Sequence, residues 1–175
     1  MLKYYDYAIT FSEYPDEISL SIEISNCPCK CKGCSESYLA QDVGKELNFE
    51  VLDNLIINNP GITCVGFMGG DSDHSYLLQL AKCIHKSYNL KVGMYSGRDY
   101  IDLELAQELD YYKIGRFILP NGECSKWHLT ECGPINFPWS NQRMFKKIDN
   151  QLIDITYRFK EKLLGRLEQY IVNSN

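Results

Sequence analysis

Cys27, Cys31 and Cys34 stand in the run CPCKCKGC, with three residues between the first pair and two between the second. Three thiolates on one short loop can each take one iron of a cubane iron-sulfur cluster. Four protein ligands would fill such a cluster, so three leave one iron open. An open coordination position is a place for chemistry rather than a structural tie. Just upstream, residues 18–24 (ISLSIEI) read as a strand. The turn-prone Ser25, Asn26, Pro28 and Gly33 then let the loop fold around a metal.

Two more small polar segments follow strand-like runs. Gly69-Gly70-Asp71 comes after residues 63–68 (TCVGFM), and Ser96-Gly97 closes the run KVGMYSG. In parallel α/β folds ligands bind beyond the carboxyl ends of the strands, so both segments and the cysteine loop are expected at one mouth. Gly69 and Gly70 permit close backbone approach, and Asp71 can accept a hydrogen bond from a ligand ammonium. Alone, this segment reads as an ordinary βα turn with a helix-capping Asp. The cysteine triad upstream reverses that preference. A Ser-Gly after a strand is most often a turn; at this mouth it is also placed to hold a ligand carboxylate or ribose.

Eight cysteines without a secretion signal read as reduced thiols and metal ligands rather than as a disulfide framework. Cys64, in an apolar strand, and Cys83, on a helical pattern, are expected to be small core residues. Cys29 lies inside the loop, but its one-residue spacing to Cys27 and Cys31 turns adjacent side chains apart, which disfavours it as a ligand. Cys124 and Cys132 flank Trp127 and His128 without the paired short spacings of a structural metal site. His74 and His85 lie eleven residues apart on one helical pattern and read as surface or packing residues. Arg116 and Arg143 suit a bound carboxylate, the partner's chain or solvated ion pairs. Trp139 reads as a packing anchor.

The elements that must position these residues alternate as strand and helix. A helix over 47–59 stops at Pro60-Gly61. A strand follows over 63–68, then a helix over 72–88 capped by Ser72 or Asp73. A strand over 91–96, a helix over 100–109 and a strand over 111–117 come next. Residues 143–159 suit a hairpin turning at Asp149-Asn150, and 159–172 a closing amphipathic helix. This is the pattern of parallel α/β units. A closed eight-unit barrel needs ~250 residues. The 175 residues here suit one domain, 1–175, holding about five or six βα units in an incomplete, open barrel with a C-terminal hairpin and helix.

With 45% hydrophobic residues the chain can bury a core, and its net charge of −5 argues against a nucleic-acid surface. No apolar run approaches the ~20 residues of a membrane span, and MLKYYDYAIT lacks signal-peptide order, so a cytoplasmic location is expected.

The cysteine spacing resembles that of the radical S-adenosylmethionine (SAM) superfamily. The CKGC end of the triad, FMGGD, MYSG, DYYKIGRF, WSNQRMF and LIDITYRF, in that order, are similar to the small activating proteins of anaerobic ribonucleoside-triphosphate reductase. The resemblance implies a radical SAM type of open barrel. It implies a [4Fe-4S] cluster on Cys27, Cys31 and Cys34, whose open iron chelates the amino and carboxylate groups of SAM. Gly69, Gly70, Asp71, Ser96 and Gly97 are expected to hold SAM, with the backbone around Gly33, Cys34 and Ser35 against the adenine. It further implies reductive cleavage of SAM to a 5′-deoxyadenosyl radical, transfer of the radical to a glycine of the reductase, and a small reductant protein such as a flavodoxin. Two alternatives remain open from the residues: a radical SAM enzyme acting on a small molecule, and a zinc module completed by Cys29, Cys64 or a His.

Overall fold

The structure, a computed structural model, describes residues 1–117 and 142–159. Cys124, Trp127, His128, Cys132, Trp139 and nearly all of the expected closing helix lie outside the described residues. Eight strands form one sheet: β1 (Lys3–Thr10), β2 (Ser19–Ile24), β3 (Lys45–Glu46), β4 (Cys64–Met68), β5 (Lys91–Tyr95), β6 (Tyr111–Ile114), β7 (Arg143–Ile148) and β8 (Gln151–Asp154). Their order is β3-β1-β2-β4-β5-β6-β7-β8. The four central strands β2, β4, β5 and β6 run parallel, and both margins pair antiparallel.

Three crossovers link the parallel strands, carrying α1 (Phe49–Ile57), α2 (His74–Ser87) and α3 (Leu103–Ala106). Among the described residues the sheet thus has three βα steps, against the five or six units read from the sequence, because the marginal strands pair antiparallel. Asn48, Asp73 and Asp102 cap the three helices, each side chain accepting an amide hydrogen bond in the first turn. Asp73 rather than Ser72 caps α2.

Alternation along the strands sorts the sheet into two faces. Leu20, Ile22 and Ile24 of β2, Val65 and Phe67 of β4, and Val92 and Met94 of β5 pack against Leu52, Leu77, Leu80 and Ile84 of the helices. Fully burying each such side chain contributes about 1.5–3 kcal/mol. The opposite face carries a smaller core in which Tyr14, from the β1–β2 loop, meets Cys64, Tyr111, Met144 and Ile155. Gly66 and Gly93 make room for it, since a Cβ on either would fall 2.4 or 2.3 Å from the Tyr14 ring. Beyond β8 the chain returns to the same loop, where Arg158 donates to both carboxylate oxygens of Asp16 at 3.1 and 2.8 Å. The sheet is therefore curled, with Tyr14 plugging one end of its inner face.

Candidate functional site

The other end of that inner face is hollow. A cavity of about 440 Å³ opens at the carboxyl ends of β2, β4, β5 and β6, within the ~300–1,000 Å³ of small-molecule sites. Its floor comes from alternate strand residues, Thr10, Ser21, Glu23, Met68, Tyr95 and Lys113, and its rim from the loops that follow the strands.

The cysteine loop is tied down at both ends. The Cys27 amide donates to the Leu39 carbonyl at 2.9 Å, and the Ser25 hydroxyl donates to the Val43 carbonyl at 2.6 Å. Asn26 takes a positive φ of 61°, a region its short polar side chain tolerates, and its amide group donates to Asp42 at 2.8 Å. The thiols of Cys27, Cys31 and Cys34 are free, half-buried and all on the cavity wall. Among the described residues no three His, Cys, Asp or Glu side chains converge on one ion position. The zinc tetrahedron is thus not assembled among them. Three free thiols on one cavity wall suit ligands to three separate irons of a cubane.

The two other predicted segments meet this loop. Asp71 is buried, and its carboxylate is satisfied from within: Oδ1 accepts from the Ser96 hydroxyl at 2.6 Å and lies 3.0 Å from His74 Nε2. Oδ2 accepts from the Gly97 amide at 2.7 Å and from the Cys29 thiol at 3.7 Å. Burial alone would push this carboxyl up, but the hydrogen bonds from His74, Ser96 and Gly97 outweigh it and hold it below its ordinary range. The expectation that Asp71 accepts a ligand ammonium therefore meets a carboxylate that already has four hydrogen-bond partners and the Arg98 guanidinium at 3.5 Å, and that ties three loops together. Gly69 and Gly70 take positive φ of 117° and 112°, and a Cβ on Gly70 would fall 2.3 Å from Leu77. Only glycine passes there without strain.

Ser35, Gly69, Ser96 and Gly97 line the cavity with the triad, whereas Gly33 and Gly70 shape the turns behind it. Cys29 also faces the cavity, its thiol pushed up to about 12 by burial and then by the Asp71 charge. Arg116 and Arg143 stand apart from the cavity wall, Arg143 pairing with Asp154 at 3.2 Å.

Two residues of the site escape sequence reasoning. Lys113 sits on the cavity floor with its Nζ 4.0 Å from the centre of the Tyr95 ring, and burial lowers its affinity for a proton. It lies two residues beyond the start of β6 on the inner face, a position legible only once that strand's register is known. His74, read as a surface or packing residue, is instead bound to Asp71.

A family model described as a 4Fe-4S single cluster domain matches residues 18–127, from the start of the strand before the triad to beyond β6. The chain belongs to this family. The match takes in every cavity-lining residue except Ala8 and Thr10 of β1, Glu13 after it, and Gln142. For this 4Fe-4S single cluster domain the cofactor is a [4Fe-4S] cluster, and the three free thiols fit it. No curated protein and no solved structure matches the chain. Among the described residues no helix is long and apolar enough to cross a membrane.

Proposed function

We propose that this chain is a radical SAM enzyme that generates a glycyl radical on a partner enzyme, an anaerobic ribonucleoside-triphosphate reductase. The observation that carries the reading is a three-thiol loop sharing one cavity with two glycine-bearing loops after parallel strands. Three cysteines for a four-iron cluster leave a coordination position for a ligand, and the cavity offers room beside it. A cluster held by these cysteines would supply the one electron that splits SAM into methionine and a 5′-deoxyadenosyl radical, and that radical would take a hydrogen atom from a glycine Cα of the partner. A small reductant protein such as a flavodoxin is the proposed electron source.

The chain's own residues prepare that chemistry. Cys27, Cys31 and Cys34 hold the cluster, and the backbone of Gly69 and Gly70 admits the amino-acid end of SAM. Lys113 offers the positive charge that a ligand carboxylate needs at the cavity floor; burial lowers its proton affinity, and a carboxylate bound beside it would restore the charged form. Cys34 and Ser35, on the cavity wall, are placed to face the adenine, with Gly33 shaping the turn behind them. In this reading the curled, parallel-centred sheet is the open barrel of radical SAM proteins, and the partner completes its wall. A reactive radical needs water excluded, so SAM turnover by the chain alone is expected to be slow and uncoupled.

The test is to mix the reconstituted chain, reductant and SAM with an anaerobic ribonucleoside-triphosphate reductase from the same organism. A glycine-centred doublet in the electron paramagnetic resonance spectrum supports the activase reading. Conversion of a small molecule with no doublet overturns it in favour of a radical SAM enzyme acting on that small molecule.

A further inference from the structure

The bonds to Asp71 do not end at the cavity rim. His74, the first residue of α2, approaches Asp71 Oδ1 with Nε2 at 3.0 Å and Asp102 Oδ2 with Nδ1 at 2.8 Å. Its side chain is only 12% exposed. An ionised carboxylate can only accept, so both contacts are hydrogen bonds together only when both ring nitrogens carry hydrogen. The arrangement therefore selects the imidazolium. Through that one ring the loop after β4 is bound to the cap of α3, and through Asp71 both are bound to the loop after β5.

The other charges around the ring are Arg98 and Asp73. Arg98 lies 3.5 Å from Asp71 Oδ1 and donates to the Asp71 carbonyl at 2.8 Å; Asp73 pairs with the Met1 amino group at 2.7 Å. The hydrogen bond to Asp71 raises the proton affinity of His74 above the ordinary 6.5, with Asp102 adding to it, against burial and the Arg98 charge.

We propose that His74 is a positioning residue for the cavity: its proton ties Asp71 to Asp102, fixes the Gly69–Asp71 and Ser96–Gly97 loops at one spacing, and couples ligand binding to a side chain off the cavity wall. The identity of that ligand as SAM rests on the reading above; the clamp itself does not. A raised folded value means that the contribution is fully present below about pH 6.5 and is lost as pH rises through the folded value.

The experiment titrates SAM into the cluster-reconstituted full chain by calorimetry from about pH 6 to about pH 9. On the same samples, mass spectrometry follows hydrogen-exchange protection of the segment holding Gly97, whose amide is bonded to Asp71. In the wild type, SAM affinity and Gly97 protection are expected to fall together as pH rises. In His74→Gln both should be lower, roughly tenfold as for loss of a partner that orients a ligand-holding group, and flat with pH. Asp102→Asn keeps the ring but weakens its hold on the proton, so both transitions should move to lower pH; it carries the test alone if His74→Gln fails to fold. Profiles of both variants that superimpose on the wild type overturn the proposal. If SAM binds at no pH while Gly97 protection still follows the His74 proton, the clamp stands and the SAM reading fails.

Discussion

Gly97 and Cys29 lie so close that a Cβ built on the glycine would fall 2.6 Å from the cysteine sulfur and 3.0 Å from its Cβ. The loop after β5 and the cysteine loop therefore meet with no room for a side chain. This contact, together with the Asp71 carboxylate that both loops share, holds the three thiols against the cavity. Gly97→Ala is expected to push the cysteine loop outward, lower stability by about 1–3 kcal/mol as overpacking does, and reduce the iron retained per chain. Iron content and thermal midpoint equal to wild type would show that the contact has slack.

Among the described residues Lys113 is the cation on the cavity floor, with Tyr95 beneath it and Glu13 the charge that partly opposes its desolvation. Lys113→Met keeps the bulk and removes the charge. It should leave the cluster absorption intact while weakening SAM binding by about 1.5–3 kcal/mol, the range for a hydrogen bond to a charged group. Unchanged affinity by calorimetry would move the carboxylate of SAM elsewhere in the cavity.

Much of this site is legible in the sequence. Each of the three segments singled out follows a strand of the parallel centre, because apolar runs ended by Gly, Ser or Cys mark a strand and the loop beyond it. Burial pattern and caps likewise give α1, α2 and the β7–β8 turn, where Asp149 and Asn150 take positive φ of 49° and 60°. The helix expected over 100–109 shrinks to the single turn of α3, whose one apolar side is satisfied by Leu105 and Ala106. β1 is not anticipated: Tyr5, Tyr7, Ile9 and Phe11 alternate as a strand should, but they face solvent, so apolar residues there do not signal the core. His74 is missed because its partners, Asp71 and Asp102, come from different loops. The three-residue spacing from Asp71 reads as a turn, and only the tertiary contact with Asp102, 28 residues on, reveals the role of the ring.

Tyr14 closes the far end of the inner face, fully buried between Gly66 and Gly93. Tyr14→Ala leaves a large hole there. A loss of about 3–5 kcal/mol is expected by analogy with other buried aromatics, read as a lower denaturant midpoint, with the cluster absorption retained while the chain stays folded. A variant as stable as wild type would contradict the plug.

The three thiols should be equivalent in need and different from the core cysteines. Cys27→Ala, Cys31→Ala and Cys34→Ala are each expected to abolish the brown chromophore after anaerobic reconstitution. Cys83→Ala, on the outer helix layer, and Cys64→Ala, beside Tyr14, should keep it. Visible absorption with iron and sulfide analysis decides between the two groups.

The most direct measurement is the fate of SAM on the reconstituted, dithionite-reduced chain, followed by chromatography for 5′-deoxyadenosine and methionine. The expected result is formation of both products by the wild type and by Cys83→Ala, and none by Cys31→Ala. An iron-loaded, reduced chain that leaves SAM intact, or a Cys31→Ala chain that still splits it, would contradict the three-thiol cluster as the centre of this protein's chemistry.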